Sequence, residues 1–511
     1  MVVLFAVMVE PSAVQGRRTT VGQDRNAAGA SGTSMAGATA TGSAGSMGIE
    51  RRGIQHVEAE ERWGTPSALF WMWTGAIWNV EYVVYGTLLV AIFGLSFAQA
   101  VPIIIIGNLA SYFLTGLTSL QGPQAGTTAF TISRASFGPT GNRVPSLFNW
   151  LTQVGYETEG IALVVLAGLA LAAKDHVAGS TGLKIGLLVG AVLIQALLPF
   201  VGHAAMLKVL KWLAFPFVAL FVIMAIITAS KVNLHVTIHG AGWGGLMVAL
   251  ALIMSAGGLG WTENANDYSR YLPRNTSRGG IIVAVALGGA IPSILLEVLG
   301  AAVATAVPAA SAYSVASVTG LVGVFPGWFV VPYLIIAIVQ IFAINSVDLY
   351  SSGVTLQSLG IHLKRYHCVM IDTVVSGGFA AYVIFSQHFS QLLSDFLLFI
   401  IVWVAPWCAI YLVDYWLRGG RYDSRALQDE KGGIYFRSGG LNWRALTALA
   451  IGMIAAALWL NAYSPYVSPL SSRIGGSDFS IFMGLFFGGL SYYLLARKSV
   501  PIEADHTPVT Q

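Results

Sequence analysis

Long apolar stretches, each close to the length needed to cross a bilayer, follow one another along most of the chain. A transmembrane helix needs about 20 predominantly apolar residues, and about twelve stretches of that order can be counted. Their approximate limits are 68–93, 97–121, 144–171, 183–203, 205–230, 245–270, 279–307, 328–353, 369–387, 390–416, 443–461 and 478–497. The pattern predicts an all-α polytopic membrane protein with twelve transmembrane helices, numbered here as spans one to twelve.

Span six is interrupted by glycine and polar residues. It passes from the apolar run 246–253 into the glycine-rich segment 257–260 and then presents Trp261, Glu263 and Asp267. Unwound backbone at membrane depth is tolerated only where it is buried in protein or lines a polar cavity. Because transporters build substrate sites from discontinuous helices, the pattern predicts that span six lines a binding site.

A second interruption, at residues 74–81 of span one, lies five spans before the first. Two halves of five spans each must have opposite topology, because the number of crossings per half is odd. Broken helices in corresponding positions of inverted repeats indicate a substrate site. We therefore predict a 5+5 inverted-repeat core formed by spans one to ten, with broken helices one and six and with spans eleven and twelve outside it.

This organisation divides the chain into five parts. Residues 1–50 are rich in Ala, Gly, Ser and Thr without a hydrophobic period, and they are predicted to form a disordered tail. The transport core occupies 51–418, a cytoplasmic loop 419–442, spans eleven and twelve 443–497, and a C-terminal tail 498–511.

Composition and charge agree with a membrane protein. Hydrophobic residues make up 55% of the chain and charged residues only 10%, whereas soluble domains carry about 25% charged residues. With the N-terminus placed inside, all of the 27 Lys and Arg residues except Lys174, Lys184, Lys231 and Arg473 fall on the inner side. The positive-inside rule then predicts a plasma-membrane protein with both termini cytoplasmic.

Carboxylates inside the spans are candidates for coupling transport to a cation. An Asp or Glu at the bilayer centre costs roughly 2.5–3.5 kcal/mol, so each needs a physical reason. Glu81, Glu159, Glu263 and Asp348 lie on the spans that would line the cavity, and a buried carboxylate there can take up and release a proton near neutral pH. Glu297 is isolated on span seven and is interpreted as a structural hydrogen-bond partner.

The remaining acidic residues and the cysteines are not assigned a role in transport. Asp372, Asp395 and Asp414 lie near span ends and are interpreted as solvated by the membrane interface. Cys368 and Cys408 have neither metal-ligand nor redox spacing and are expected to be buried. No GxSxG, HExxH, Walker A or GxGxxG motif is present, so the sequence predicts neither an enzyme nor a metal site. Lys and Arg belong to cytoplasmic loops, which gives no support to nucleic-acid binding.

Spans three and eight supply aromatic and amide positions. Tyr156 could stack on a planar ligand, with an interfacial aromatic as the alternative. Gln340 and Asn345 carry amides that offer both a donor and an acceptor, as a nucleobase edge requires. Hydrogen bonding between helices is the alternative for these two residues.

Several motifs in the same order resemble the nucleobase–cation symporter-1 family, and specifically its purine–cytosine permease branch. The similarity extends from about Gly53 to residue 500. The motifs are Glu61-Arg62-Trp63-Gly64-Thr65-Pro66, Gly94-Leu95-Ser96-Phe97-Ala98-Gln99-Ala100, Gly107-Asn108, Ser133-Arg134-Ala135-Ser136-Phe137-Gly138, Gly141-Asn142, Pro145-Ser146, Thr152-Gln153-Val154-Gly155-Tyr156 and Asp267-Tyr268-Ser269-Arg270-Tyr271-Leu272-Pro273. The resemblance implies twelve helices, ten of them in a LeuT-type core.

The resemblance also implies a flat heterocycle held between aromatic side chains of spans three and six. The span-three aromatic position falls on Tyr156, and the span-six position falls on Gly258, which departs from the family pattern. Trp261, one turn further on, would then take over the stacking. Backbone groups of Gly257 and Gly258 would remain available to hydrogen-bond the ligand.

The family's polar positions fall near Trp78 and Asn79 on span one, and near Gln340 and on Asn345 on span eight. Together with the residues of spans three and six, these complete the expected substrate site.

A second departure concerns the co-transported ion. Sodium-coupled relatives place hydroxyl residues on span eight where this chain has Ala343 and Ile344. A hard cation prefers oxygen ligands, and these side chains offer none. We therefore expect coupling to a proton, as in the fungal members, rather than to Na⁺, and no other cofactor.

The sequence as a whole predicts a symporter that imports a purine or cytosine by alternating access. A symporter for another planar amide, such as uracil, allantoin, hydantoin or thiamine, is the alternative within the transporter class. A channel or a nutrient receptor is the alternative from a different class. No oligomeric state follows from the sequence.

Overall fold

A computed structural model describes residues 53–174, 179–197, 203–232, 240–307, 318–361, 363–386, 389–462 and 466–505. The tail predicted at 1–50 lies outside the described residues. Within these ranges the regular structure is helical, apart from one isolated antiparallel bridge between Asn461 and Val467.

Helices occupy all of the predicted spans. Their bounds are Pro66–Ile77 and Val80–Ala91 (one), Phe97–Thr118 (two), Arg143–Lys174 (three), Thr181–Leu197 (four), His203–Ala229 (five), Trp243–Met254 and Ala265–Ser269 (six), Arg278–Thr305 (seven), Gly327–Ser358 (eight), Arg365–Ser386 (nine), Phe389–Phe399 and Ile401–Leu417 (ten), Trp443–Trp459 (eleven) and Ser480–Ala496 (twelve). Shorter helices lie between and after them at Gln121–Ala125, Ala129–Ile132, Arg134–Phe137, Val318–Leu321, Pro469–Arg473 and Val500–Asp505.

Helices of membrane-crossing length dominate the described part of the chain. Eight helices in it are long and apolar enough to cross a membrane. Four shorter apolar helices, Val80–Ala91, Thr181–Leu197, Trp243–Leu259 and Ser480–Ala496, fall on predicted spans one, four, six and twelve. The protein is therefore an all-helical, multi-pass membrane protein.

Local sequence explains where several of these helices begin. Thr65 accepts a hydrogen bond from the Ala68 amide, and Pro66 occupies the first helical position of span one. Ser96 and Gln99 form a reciprocal capping box at the start of span two. Such caps satisfy amide groups that the first turn of a helix leaves without an intrahelical partner.

The structure contains both helix interruptions that the sequence predicts. Span one leaves helical geometry at Trp78 (φ −65°, ψ 77°) and Asn79 (φ −139°, ψ 144°), and the Asn79 side chain then caps the second half by accepting from the Glu81 amide. Span six widens into a π-helix over Ser255–Leu259, with Gly257 at φ −87° and ψ −136°. Backbone groups released at such points need other partners, and at Gly258 of span six the neighbouring span two supplies them.

Spans one and seven pack closely because glycines face each other's backbone. A Cβ atom on Gly86 would overlap the backbone of Glu297, and one on Gly300 would overlap the backbone of Val83. Small residues of this kind let membrane helices approach closely in the absence of a hydrophobic driving force between them. The two glycines therefore fix the register of span seven against the second half of span one.

Candidate functional site

The interruption of span six is held by a polar stripe on span two. The Gly258 amide donates to Ser111 Oγ at 3.0 Å, and Thr115 Oγ1 donates to the Gly258 carbonyl at 2.6 Å. The family resemblance leaves the backbone groups of Gly258 available to hydrogen-bond the ligand. In this conformation the amide and the carbonyl group of Gly258 both form hydrogen bonds with span two.

Gly258 has no room for a side chain. A Cβ atom at this position would overlap the backbone of Ser111 and Tyr112. The aromatic residue that the family resemblance implies at this position is therefore sterically excluded here while span two lies this close. Gly257 is also close to span two, since its Cβ would lie 2.9 Å from Asn108 Oδ1.

Trp261 is buried against span one, and two contacts hold its indole group. Its Nε1 donates to the Tyr82 hydroxyl at 3.1 Å, and its ring meets Trp73 edge to face with centroids 5.4 Å apart. The residue is 9% exposed. The structure thus brings the predicted stacking residue of span six against both halves of span one.

The two predicted residues at the interruption of span one point in different directions. Trp78 stacks on Phe221 of span five, with ring centroids 5.9 Å apart. Asn79 uses its side-chain oxygen to cap Glu81, while its Nδ2 atom is buried and has no partner among the described residues. A donor of this kind is available to a ligand.

Tyr156 reaches the interruption of span six from span three. A Cβ atom built on Gly260 would lie 2.6 Å from the Tyr156 hydroxyl oxygen. On another side, its ring meets Phe396 of span ten edge to face, with centroids 5.1 Å apart. A cavity of about 310 Å³ lies between spans three, nine and ten, with Gly155, Glu159 and Phe396 among its lining residues.

The four predicted coupling carboxylates are all buried and form one cluster. Glu159 interacts electrostatically with Glu81 and Asp348, and Glu263 interacts with Asp348. Glu159 Oε1 accepts from the Tyr85 hydroxyl at 3.1 Å, whereas its Oε2 has no partner within the described structure. Spans one, three, six and eight therefore each contribute one acidic group to the same region.

The two predicted amides of span eight differ in their surroundings. Asn345 Nδ2 donates to Gln195 Oε1 of span four at 2.9 Å. This contact matches the alternative of hydrogen bonding between helices, although it does not prevent Asn345 from binding a ligand in another state. Gln340 is 1% exposed, and neither atom of its amide has a partner among the described residues.

Several polar residues of the site were not singled out from the sequence. Gln153 Nε2 donates to Glu263 Oε1 at 2.8 Å, and Tyr82 and Tyr112 join the contacts around Trp261. Span two does carry a readable signal, because its polar positions 108, 111, 112 and 115 share one helix face. Their partners could not be read from that spacing.

Glu297 is a structural hydrogen-bond partner, as its isolated position on span seven predicts. Its Oε2 atom accepts from Asn108 Nδ2 of span two at 2.6 Å, so the residue links two neighbouring spans by a hydrogen bond.

Two of the three carboxylates placed at the membrane interface are instead fully covered. Asp372 is 0% and Asp414 1% exposed, so the prediction of solvated side chains is wrong for both. Asp372 accepts from Trp150 and from Ser352 Oγ, and Asp414 pairs with Arg418. Neighbouring helices close over these span ends, which the position along one helix does not reveal. Cys368 and Cys408 are buried, as expected.

Comparison with known proteins decides the family. Residues 56–484 match the family described as permease for cytosine/purines, uracil, thiamine, allantoin. The chain belongs to this family. Its members are permeases and not enzymes, which confirms both the resemblance seen in the motifs and the prediction that the protein is not an enzyme.

Individual relatives extend over most of the chain. The putative purine-cytosine permease YxlA of Bacillus subtilis is 29% identical over 90% of this chain and 98% of its own length. The purine-cytosine permease fcyB of Emericella nidulans is 26% identical over 88% of each protein.

A solved structure shares the fold. Mhp1, a nucleobase-cation-symport-1 family transporter captured in a closed conformation with bromovinylhydantoin bound, superposes with a TM-score of 0.66 at 18% identity, covering 91% of this chain and 98% of its own. At 18% identity this similarity shows that the two proteins share a fold, and no more than that.

Proposed function

We propose that this permease imports a purine or cytosine across the plasma membrane by proton symport. The observation that carries the proposal is the convergence of both interrupted helices on one buried region. Trp261, Tyr156 and the acidic cluster of Glu81, Glu159, Glu263 and Asp348 meet there. An aromatic and amide-bearing pocket suits a flat heterocycle, and two relatives are named purine-cytosine permeases.

The proposed architecture is a twelve-span protein with a 5+5 inverted-repeat core of spans one to ten. In this scheme the bundle of spans one, two, six and seven rocks against the remaining spans around a fixed midplane site. Contacts made by the first and the last described residues support an even number of membrane crossings. Gln428 Nε2 of the 419–442 loop donates to the Ile54 carbonyl at 2.8 Å, and Arg437 of the same loop pairs with Glu503. Both ends of the described chain thus lie at one end of the helical body, which we propose faces the cytoplasm.

We propose that the substrate lies between the interrupted spans and spans three and eight. The binding residues are Trp78, Asn79, Tyr156, Gly257, Gly258, Trp261, Gln340 and Asn345. Support comes from the buried amide atoms of Gln340 and Asn79 that have no partner in the described structure. A buried polar group without a hydrogen bond costs about 1–3 kcal/mol, and a nucleobase edge can recover that energy on binding.

The proposed coupling ion is a proton carried by one or more of Glu81, Glu159, Glu263 and Asp348. Four neighbouring carboxyl groups cannot all be ionised at membrane depth, because burial and mutual repulsion both disfavour the charged forms. The side chains of Ala343 and Ile344, where sodium-coupled relatives have hydroxyl residues, offer no ligands to Na⁺.

Uptake of radiolabelled cytosine into cells that express the protein tests the proposal. Adenine, hypoxanthine, uracil and allantoin serve as competitors, at two pH values, with and without sodium, and with a protonophore. We expect concentrative uptake that rises in acid, ignores sodium and collapses with the protonophore. Uptake that required sodium and ignored the pH gradient would exclude proton coupling.

The competitors also separate the alternatives. If uracil or allantoin, rather than cytosine and the purines, is the preferred compound, the protein is a symporter for another planar amide of the kinds named in the family description. Uptake that equilibrates without concentrating and is unaffected by the protonophore would indicate a channel.

A further inference from the structure

One continuous set of hydrogen bonds joins four spans. Trp261 Nε1 of span six donates to the Tyr82 hydroxyl of span one at 3.1 Å, and this hydroxyl lies 3.2 Å from that of Tyr112 on span two. Ser293 Oγ of span seven donates to the Tyr112 hydroxyl at 3.1 Å and lies 3.0 Å from the Gly289 carbonyl oxygen. These five residues, referred to below as the Trp261 chain, are buried.

Within the Trp261 chain, Tyr112 is held by close contacts with two other spans. Its ring fills the space beside Gly289, where a Cβ atom would overlap ring carbons of Tyr112. Its backbone lies against Gly258, whose Cβ would overlap the Tyr112 amide nitrogen. Tyr112 is therefore clamped between spans six and seven, and its hydroxyl is a fixed point against which Tyr82 is held.

The orientation of Trp261 depends on this fixed point. The hydrogen bond from Nε1 to the Tyr82 hydroxyl and the edge-to-face contact with Trp73, at an interplanar angle of 79°, together restrain the plane of the indole ring. A planar ligand stacked on the indole takes its own tilt from that plane. Gly258 cannot supply an alternative aromatic surface, because span two excludes a side chain there.

We propose that Tyr112 is a positioning residue for substrate selection, which acts through Tyr82 to set the plane of Trp261. The inference rests on the proposed function, since it assumes that Trp261 stacks on the transported base. Tyr112 itself is 0% exposed and has no need to touch the substrate.

Selectivity of uptake tests the inference. The variants are Tyr112→Phe, Tyr82→Phe and the double variant. The measured quantity is the ratio of the concentrations at which two bases of different shape, cytosine and hypoxanthine, inhibit uptake by half. Removing one net hydrogen bond from the chain should change this ratio by about threefold to tenfold in each single variant. Because Tyr112 acts through Tyr82, the double variant should change it no more than Tyr82→Phe alone.

Tyr333→Phe is the matched control. Tyr333 is also fully buried, and its hydroxyl donates to the Val318 carbonyl at 3.2 Å, outside the Trp261 chain. It should leave the ratio unchanged. Ser293→Ala provides a second way to weaken the chain if Tyr112→Phe is absent from the membrane, and it should shift the ratio in the same direction by a smaller factor.

The outcomes separate this inference from the proposed function. If the wild type takes up none of the bases, the proposed function fails, and the Trp261 chain has no substrate to orient. If the wild type transports them but Tyr112→Phe and Ser293→Ala both keep the wild-type ratio, the positioning role is excluded. Independent, additive effects of Tyr112→Phe and Tyr82→Phe would also overturn it.

Discussion

Asn345 of span eight and Gln195 of span four form a pair of hydrogen-bonded amides. The Asn345 amide lies against Gly160 of span three, where a Cβ atom would overlap it. Gln195 is fully buried, and its Nε2 atom has no partner in the described structure. The contact with Gln195 is compatible with both roles predicted for Asn345, binding a ligand and joining two helices.

Substitution of the two amides separately tests the role of Asn345. Asn345→Ala should abolish uptake while the amount of protein in the membrane stays normal, because the substrate loses a donor and an acceptor. Gln195→Ala should retain uptake. It should lower the melting temperature, because the loss of one buried hydrogen bond lowers the free energy of unfolding by roughly 1–3 kcal/mol.

The comparison is read from uptake and from membrane abundance of both variants. Normal uptake by Asn345→Ala would remove this residue from the site. Equal loss of uptake in both variants would assign the pair a structural role.

At the scale of elements, the short helix Val500–Asp505 is tied to the end of span ten by buried charge. Arg418 is 0% exposed and pairs with Asp414 at 2.6 Å and Glu503 at 2.7 Å, and it also donates to the Ala135 carbonyl at 2.9 Å. Burial alone lowers the pKa of Arg418, but Asp414 and Glu503 raise it, and the net pKa lies well above its ordinary value. Arg418 therefore stays charged and joins three segments of the chain.

Removing this charge should destabilise the protein strongly. Arg418→Ala leaves the buried Asp414 without its cation, while Glu503 keeps its ion pair with Arg437. Breaking a buried pair in this way costs about 3–5 kcal/mol. Arg421→Ala is the matched control, since Arg421 binds Asp505 of the same helix at 2.7 Å while its side chain is 43% exposed. Loss of an exposed pair costs about 0–1 kcal/mol.

Thermal unfolding of the detergent-solubilised protein measures both effects. Similar melting temperatures for the two variants would show that burial does not strengthen the Arg418 contacts.

At the scale of the whole molecule, the charge distribution and the contacts of the chain ends lead to the same topology. Lys and Arg are concentrated on one predicted side of the membrane. The N-terminal segment, the 419–442 loop and the helix Val500–Asp505 are connected through hydrogen bonds and ion pairs at one end of the helices. An even number of crossings satisfies both observations.

Reporter fusions test this topology. A green fluorescent protein fused after residue 511 should fluoresce, and alkaline phosphatase at the same place should be inactive, because both report a cytoplasmic end. Alkaline phosphatase inserted near residue 177 or residue 312 should be active, since the predicted topology places these loops outside. An active phosphatase at the C-terminus would contradict the proposed orientation.

The amino-acid sequence by itself determined the helical spans, the two interruptions and the family. These depend on apolar length, on local glycine and polar positions and on motifs, and each of them is a property of consecutive residues. The interruption at Trp78–Asn79 lies inside the predicted segment 74–81, and that at Ser255–Leu259 overlaps the predicted segment 257–260.

Only the tertiary structure decided which side chains meet. It placed Asn345 against Gln195, closed neighbouring helices over Asp372 and Asp414, and filled the space above Gly258 with span two. Between membrane helices no strong hydrophobic force selects one face, so small residues and single hydrogen bonds fix rotation and register. That choice depends on residues far apart in the chain, and local spacing therefore cannot reveal it.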